Sequence, residues 1–184
     1  MIRRAIVFVL FASVPAIAQS AVTVLGNNLA RLCYEAAVQE RPSASNIRTC
    51  DSALQDGPLF GHDRVATHVN RGILHAQSGD FEAALADYDR ALQLDDEEAD
   101  AYLNKGLALL RRDGTGEVNA LMPLVNAAIE YGTSEPAVAY YVRAIVHEEN
   151  GDVPAAYYDL RRAQELDPDW EVPTRELERF VVQQ

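Results

Sequence analysis

His68 and His75 stand seven residues apart in one apolar-periodic stretch, so a helix would carry both imidazoles on one face, as a pair of metal ligands requires. Asp95-Asp96-Glu97-Glu98 offers four consecutive carboxylates, the oxygen donors a calcium ion takes, and Glu148-Glu149 a pair that could exchange protons. Arg71, Lys105 and Arg143 recur as isolated cations, with Asp87 and Asp159 sixteen residues beyond the first and third. None of these groupings adds up to a reaction centre. General acid/base work needs groups converging on an apolar cleft, and consecutive helical residues point apart. The acidic run sits where one helix ends and the next begins, where carboxylates favour the following N-terminus. No Gly-rich phosphate loop, zinc-type cysteine pair or nucleophile elbow is present, and no serine has a histidine at motif spacing. The expectation is a protein that is not an enzyme and takes no cofactor and no metal.

The 184 residues carry 16 Lys+Arg against 28 Asp+Glu, a net charge of −12, and 48% of them are hydrophobic. Lys105 is the only lysine. Such acidity argues against nucleic acid and against anionic lipid, both of which need clustered cations. The apolar content is enough for a packed core. Residues 1–18 read as an export signal: Arg3 and Arg4, the apolar run Ala5 to Val14, then Ala16-Ile17-Ala18 as the small-residue cleavage site. The run is too short for the ~20 residues of a membrane span. Its brevity suits a bacterial signal, so the expected product is a soluble periplasmic protein without membrane insertion. In that oxidising compartment Cys33 and Cys50 are expected to pair, stapling the helices read over Leu29 to Val38 and Ile47 to Leu54 across the turn Arg41-Pro42-Ser43. Two free buried thiols are the alternative. Metal binding by this pair is disfavoured because no histidine lies on either helix.

These residues are set on an internal repeat. Three segments superpose, beginning at Ala66, Asp100 and Val138. Each has a small residue in its first helix (Gly72, Gly106, Ala144) and then a turn at Gly79-Asp80, Asp113-Gly114 or Gly151-Asp152. A second helix follows, anchored by Ala84/Tyr88/Ala91, Ala120/Leu124/Ala127 and Ala156/Leu160/Ala163. First-helix and second-helix intervals agree if the middle unit carries two extra residues in its turn and two more before Pro136. The small anchors recur where two helices must approach closely. The same register sends His68, His75 and His147 toward the second helix as packing residues, and leaves His62 in a loop. It makes Arg71–Asp87 and Arg143–Asp159 bridges within a unit. Pro123 replaces the acid of the middle unit, which leaves Lys105 freer.

With Leu94-Asp95 and Leu166-Asp167-Pro168 closing two units, the pattern resembles the tetratricopeptide repeat family. The resemblance implies an all-α, right-handed solenoid of antiparallel helix pairs. On that reading residues 19–64 form a degenerate N-terminal pair, 65–98, 99–136 and 137–170 the three units, and 171–184 a capping helix over Thr174 to Val182. Trp170 packs between array and cap. The family is one of non-catalytic scaffolds that hold a peptide or partner protein in a concave groove lined by the first helices. Here that groove is expected to present Val69, Asn70, Ile73, Leu103, Asn104, Leu107, Leu110, Tyr141 and Ile145, with Asn70 and Asn104 able to hydrogen-bond a peptide backbone. The carboxylate clamp of one family subset is not expected, since Asp100 and Val142 stand where positive charge is needed. Such an apolar stripe calls for a cover. The partner would be an apolar peptide or helix, a second copy of the chain in a homo-oligomer, or the segment Gln19 to Asn28. The alternative function is a self-associating structural subunit of a cell-envelope assembly.

Overall fold

Gly79-Asp80 and Gly151-Asp152 show how this sequence makes a helical hairpin. Each glycine takes a left-handed backbone (φ 85° and 77°), a conformation that side-chain-bearing residues rarely adopt. The next residue is an aspartate whose carboxylate accepts from the third residue on, Ala83 or Ala155, and so caps the second helix. The structure is a computed structural model and describes residues 2–4, 19–24, 28–56, 59–116 and 118–182. Apart from residues 2–4, the expected signal segment lies outside the described residues.

Among the described residues the chain forms strand β1 (Ile2–Arg4), then helices α1 (Asn28–Val38), α2 (Ala44–Asp56), α3 (Gly61–Gln77), α4 (Phe81–Leu94), α5 (Ala99–Asp113), α6 (Leu121–Glu130), α7 (Pro136–Glu149), α8 (Val153–Leu166) and α9 (Glu171–Leu177), and strand β2 (Phe180–Val182). Consecutive helices pack as antiparallel pairs, α1 with α2, α3 with α4, α5 with α6 and α7 with α8, and each pair stacks on the next. This is the all-α solenoid the repeat implies. A Cys33–Cys50 disulfide joins the first pair, with Cα atoms 5.0 Å apart. The loop it closes is worth roughly 3 kcal/mol by the chain-entropy argument.

The middle unit departs from the expected register. Its second helix buries Leu121, Val125 and Ala128, while Ala120 is exposed and Leu124 and Ala127 are only half-buried. A short 3-10 turn over Val118–Ala120 precedes α6. The anchors have therefore moved one residue along, and the turn holds three extra residues and the stretch before Pro136 one. Pro123 explains the shift: it lacks a backbone N–H and is tolerated only in the first turn, so the helix begins at Leu121.

The C-terminal cap is also shorter than expected. The helix runs over Glu171–Leu177, and Phe180–Val182 is extended and pairs antiparallel with Ile2–Arg4. The β-branched pair Val181-Val182 favours that conformation over another helical turn. Leu177 and Phe180 still reach the core formed by Ala156, Leu160 and Ala163. Trp170 stands edge-on to Tyr141, with ring centroids 5.1 Å apart, where the last unit meets the cap. Arg179 ties the cap back by two 3.1 Å hydrogen bonds to Glu148.

Candidate functional site

The first helices of units 1 and 2 each carry one fully buried asparagine, Asn70 on α3 and Asn104 on α5. Both face residues 19–24, which run in extended form across the two helices. Asn104 Oδ1 accepts from Ser20 N (3.2 Å) while its Nδ2 donates to Ser20 O (2.9 Å). Asn70 repeats the arrangement two residues on, accepting from Val22 N (2.9 Å) and donating to Val22 O (2.7 Å). A residue in a β-strand presents its N–H and C=O on one edge, and a neighbouring strand normally takes both. The asparagine side chain is an amide with one acceptor and a donor in the same plane, so it replaces that neighbour. His62 Nε2 lies 3.1 Å from Thr23 O at the downstream end.

The side chains of the segment alternate as a strand demands. Ser20, Val22 and Val24 are buried, whereas Ala21 is half-buried and Thr23 exposed. Val22 and Val24 share a core with Val69 and Ile73. The segment thus runs from unit 2 toward unit 1, opposite in direction to the order of the units.

The other residues read as a groove are closed off. Leu103, Leu107 and Leu110 belong to one core with Leu121, Val125, Val138 and Val142, packed between successive units. Tyr141 is buried with Trp170 and Phe180, and Ile145 alone of the stripe stays half-buried. In unit 2 the aliphatic stripe is interior, whereas in unit 1 Val69 and Ile73 pack with the segment's valines beside Asn70. The reason is that α6 packs against α5, and Val138, Val142 and Val146 of α7 close on the same leucines.

Asp100, whose charge is of the wrong sign for a carboxylate clamp, instead holds the loop before Pro136. It is buried and accepts from Thr133 Oγ1 (2.5 Å), Ser134 N (2.9 Å) and Ser134 Oγ (3.1 Å). Ser134 Oγ in turn meets Ser20 Oγ. The extra residue before Pro136 brings Thr133-Ser134 over the start of α5.

The recurring cations are joints. Arg71 donates twice to Asp87 on α4 (2.6 and 2.8 Å) and once to Asp51 on α2 (2.6 Å). Arg143 donates twice to Asp159 on α8 (2.7 and 2.8 Å) and once to Asn126 on α6 (3.1 Å). Lys105 is not freer: its Nζ reaches Asp89 on α4 at 2.5 Å, the partner contributed by the preceding unit. Each first helix is thereby tied to the second helix before it. His68 donates from Nδ1 to Asp87 (2.9 Å), and His147 Nε2 stands 3.7 Å from Asp159, so both serve packing. Burial of Asp87 opposes its ionisation, but the hydrogen bonds from His68 and Arg71 and the charge of Arg71 outweigh it and hold the carboxyl below its ordinary range. Glu98 caps the start of α5 by accepting from Asp100 N, and Asp95 accepts from Glu97 N in the turn before it. Among the described residues no group of three or more His, Cys, Asp or Glu is arranged to hold a metal ion.

Residues 68–112, from α3 through α5 and including both asparagines, match the family model described as TPR repeat. No curated protein matches the chain. Repeats of this kind are in general non-catalytic and mediate contacts between proteins.

Proposed function

We propose that this tetratricopeptide-repeat protein is a non-catalytic scaffold that holds a peptide in extended conformation across α3 and α5, and that its own residues 19–24 occupy the site until a partner peptide displaces them. The observation that supports this reading is the paired recognition of Ser20 and Val22 by Asn104 and Asn70, through backbone atoms that every non-proline peptide possesses. An amphipathic helix could not replace the segment, because its backbone N–H and C=O groups are already spent on itself.

The energetics favour an exchangeable occupant. Four buried hydrogen bonds contribute about 1 kcal/mol each. Burial of Val22 and Val24 adds about 2 kcal/mol each. Ordering six residues costs about 1–2 kcal/mol apiece, so gain and cost nearly cancel. A partner with better side chains would win at little expense to the array.

The same reading has residues 1–18 removed as an export signal into the periplasm, which places the docking strand at the mature N-terminus. The disulfide is in keeping with an oxidising compartment. No described helix is long and apolar enough to cross a membrane. The pairing of Ile2–Arg4 with Phe180–Val182 would then belong to the precursor.

The test uses a chain carrying Val22→Pro, which removes the N–H that Asn70 accepts and vacates the site. A fluorescent hexapeptide with the sequence of residues 19–24 should bind this chain, and adding Asn70→Ala and Asn104→Ala should abolish binding while helical content is unchanged. Binding that is indifferent to both asparagines would refute the site.

A further inference from the structure

Beyond backbone recognition, the site holds one side chain by a directed chain of hydrogen bonds. Asp100 is buried and, as a carboxylate, can only accept. It takes the hydroxyl proton of Thr133 at 2.5 Å and that of Ser134 at 3.1 Å, with Ser134 N–H at 2.9 Å. The Ser134 proton is therefore committed to Asp100, and Ser134 Oγ is left as an acceptor toward the segment. Ser20 Oγ meets it and must donate. Ser20 is 2% exposed, while Ser134 is exposed. Two and four residues on, the buried positions are Val22 and Val24, which enter an aliphatic core.

We infer that the groove selects its peptide by side chain as well as by backbone: a small hydroxyl-bearing residue read by Ser134 and Asp100, followed at the second and fourth positions by aliphatic ones. This rests on the groove reading above and narrows it to a ligand class, a hydroxyl–x–aliphatic–x–aliphatic strand. Phosphorylation of that hydroxyl removes the donor and brings negative charge to Asp100. It also brings it to a cleft of about 240 Å³ beside Ser20, whose lining includes Glu40 and Glu135 and no Lys or Arg. Burial, then repulsion by Asp100 and Asp167, raises the Glu135 carboxyl, as expected where no cation answers the acids. The ligand is thus an unmodified hydroxyl peptide.

The experiment compares hexapeptides that differ only at the position of Ser20, carrying serine, alanine, valine or phosphoserine, on the Val22→Pro chain. Serine should bind about tenfold more tightly than alanine or valine, the size of one buried hydrogen bond, and phosphoserine should not bind measurably. In a chain that also carries Ser134→Ala, the preference for serine over alanine should vanish. Equal binding of serine and alanine, or a preference that survives Ser134→Ala, overturns the inference and leaves the groove intact. Failure of every hexapeptide to bind overturns the groove reading and the inference with it. A second readout needs no vacated site: in the intact chain, Ser20→Ala should speed amide exchange at residue 20 about tenfold, and an unchanged rate would contradict the inference.

Discussion

Gly72 lies under the ring of Tyr88, and a methyl group added there would come within 2.6 Å of Tyr88 Cε1. Tyr88 is itself fully buried, so the ring has nowhere to withdraw. Gly106 occupies the equivalent position in the next unit, yet its nearest neighbours, Leu124 Cβ and Val125 Cγ1, are 3.8 Å away, an ordinary contact. Gly72→Ala should cost about 1–3 kcal/mol by overpacking. Gly106→Ala should stabilise by about 0.5–1 kcal/mol, because glycine is a poor residue inside a helix. Denaturant titration of both variants decides the point, and equal destabilisation would mean that the two units pack alike. The spacing of small residues announced both glycines, but the closeness of each approach depends on the partner side chain. Tyr88 is large where the middle unit offers Val125 and the near edge of Leu124. Asn70 and Asn104 were legible for the same reason that the glycines were, as a polar pair at one repeat interval. Ser134 and Asp100 were not, because their meeting depends on a loop outside the periodic pattern.

Between elements, the Arg71–Asp87–His68 cluster differs in kind from Lys105–Asp89. The Asp87 side chain is 5% exposed and that of Asp89 is 52% exposed. Asp87→Ala should cost about 2 kcal/mol, at the low end for a broken buried pair because Arg71 keeps Asp51. Lys105→Ala should cost well under about 1 kcal/mol. The pH dependence follows in sign from the lowered Asp87 carboxyl. Its contribution is complete above the unfolded value near 4 and is lost as pH falls through the lower folded value. The melting temperature of the native chain should therefore fall more steeply below about pH 4 than that of Asp87→Ala, and parallel curves would contradict the assignment. Alternating small residues and Gly-Asp turns made the helix pairs readable. The register of α6 escaped because Ala120 and Leu124 imitate the anchors of the other units, while Pro123 alone carries the information that the helix begins at Leu121. The extended end at Phe180 escaped because its partner strand lies at the far end of the chain, where no local period can show it.

Taken whole, the molecule is a stack of helix pairs with residues 19–24 laid across α3 and α5. Leu103, Leu107 and Leu110 seal one unit to the next, and on our proposal Asn104 and Asn70, which meet alternate residues of the segment, define what the site holds. The most direct test of that claim is backbone amide exchange along residues 20–23 of the intact chain. Ser20 and Val22 donate to Asn104 and Asn70, so their amides should exchange at least about tenfold more slowly than in the free hexapeptide. The intervening Ala21 and Thr23 amides should exchange at the free rate, and Asn70→Ala with Asn104→Ala should release Ser20 and Val22 to that rate as well. Free-rate exchange at all four positions in the unaltered chain, with the amides of α3 and α5 still protected, would contradict it.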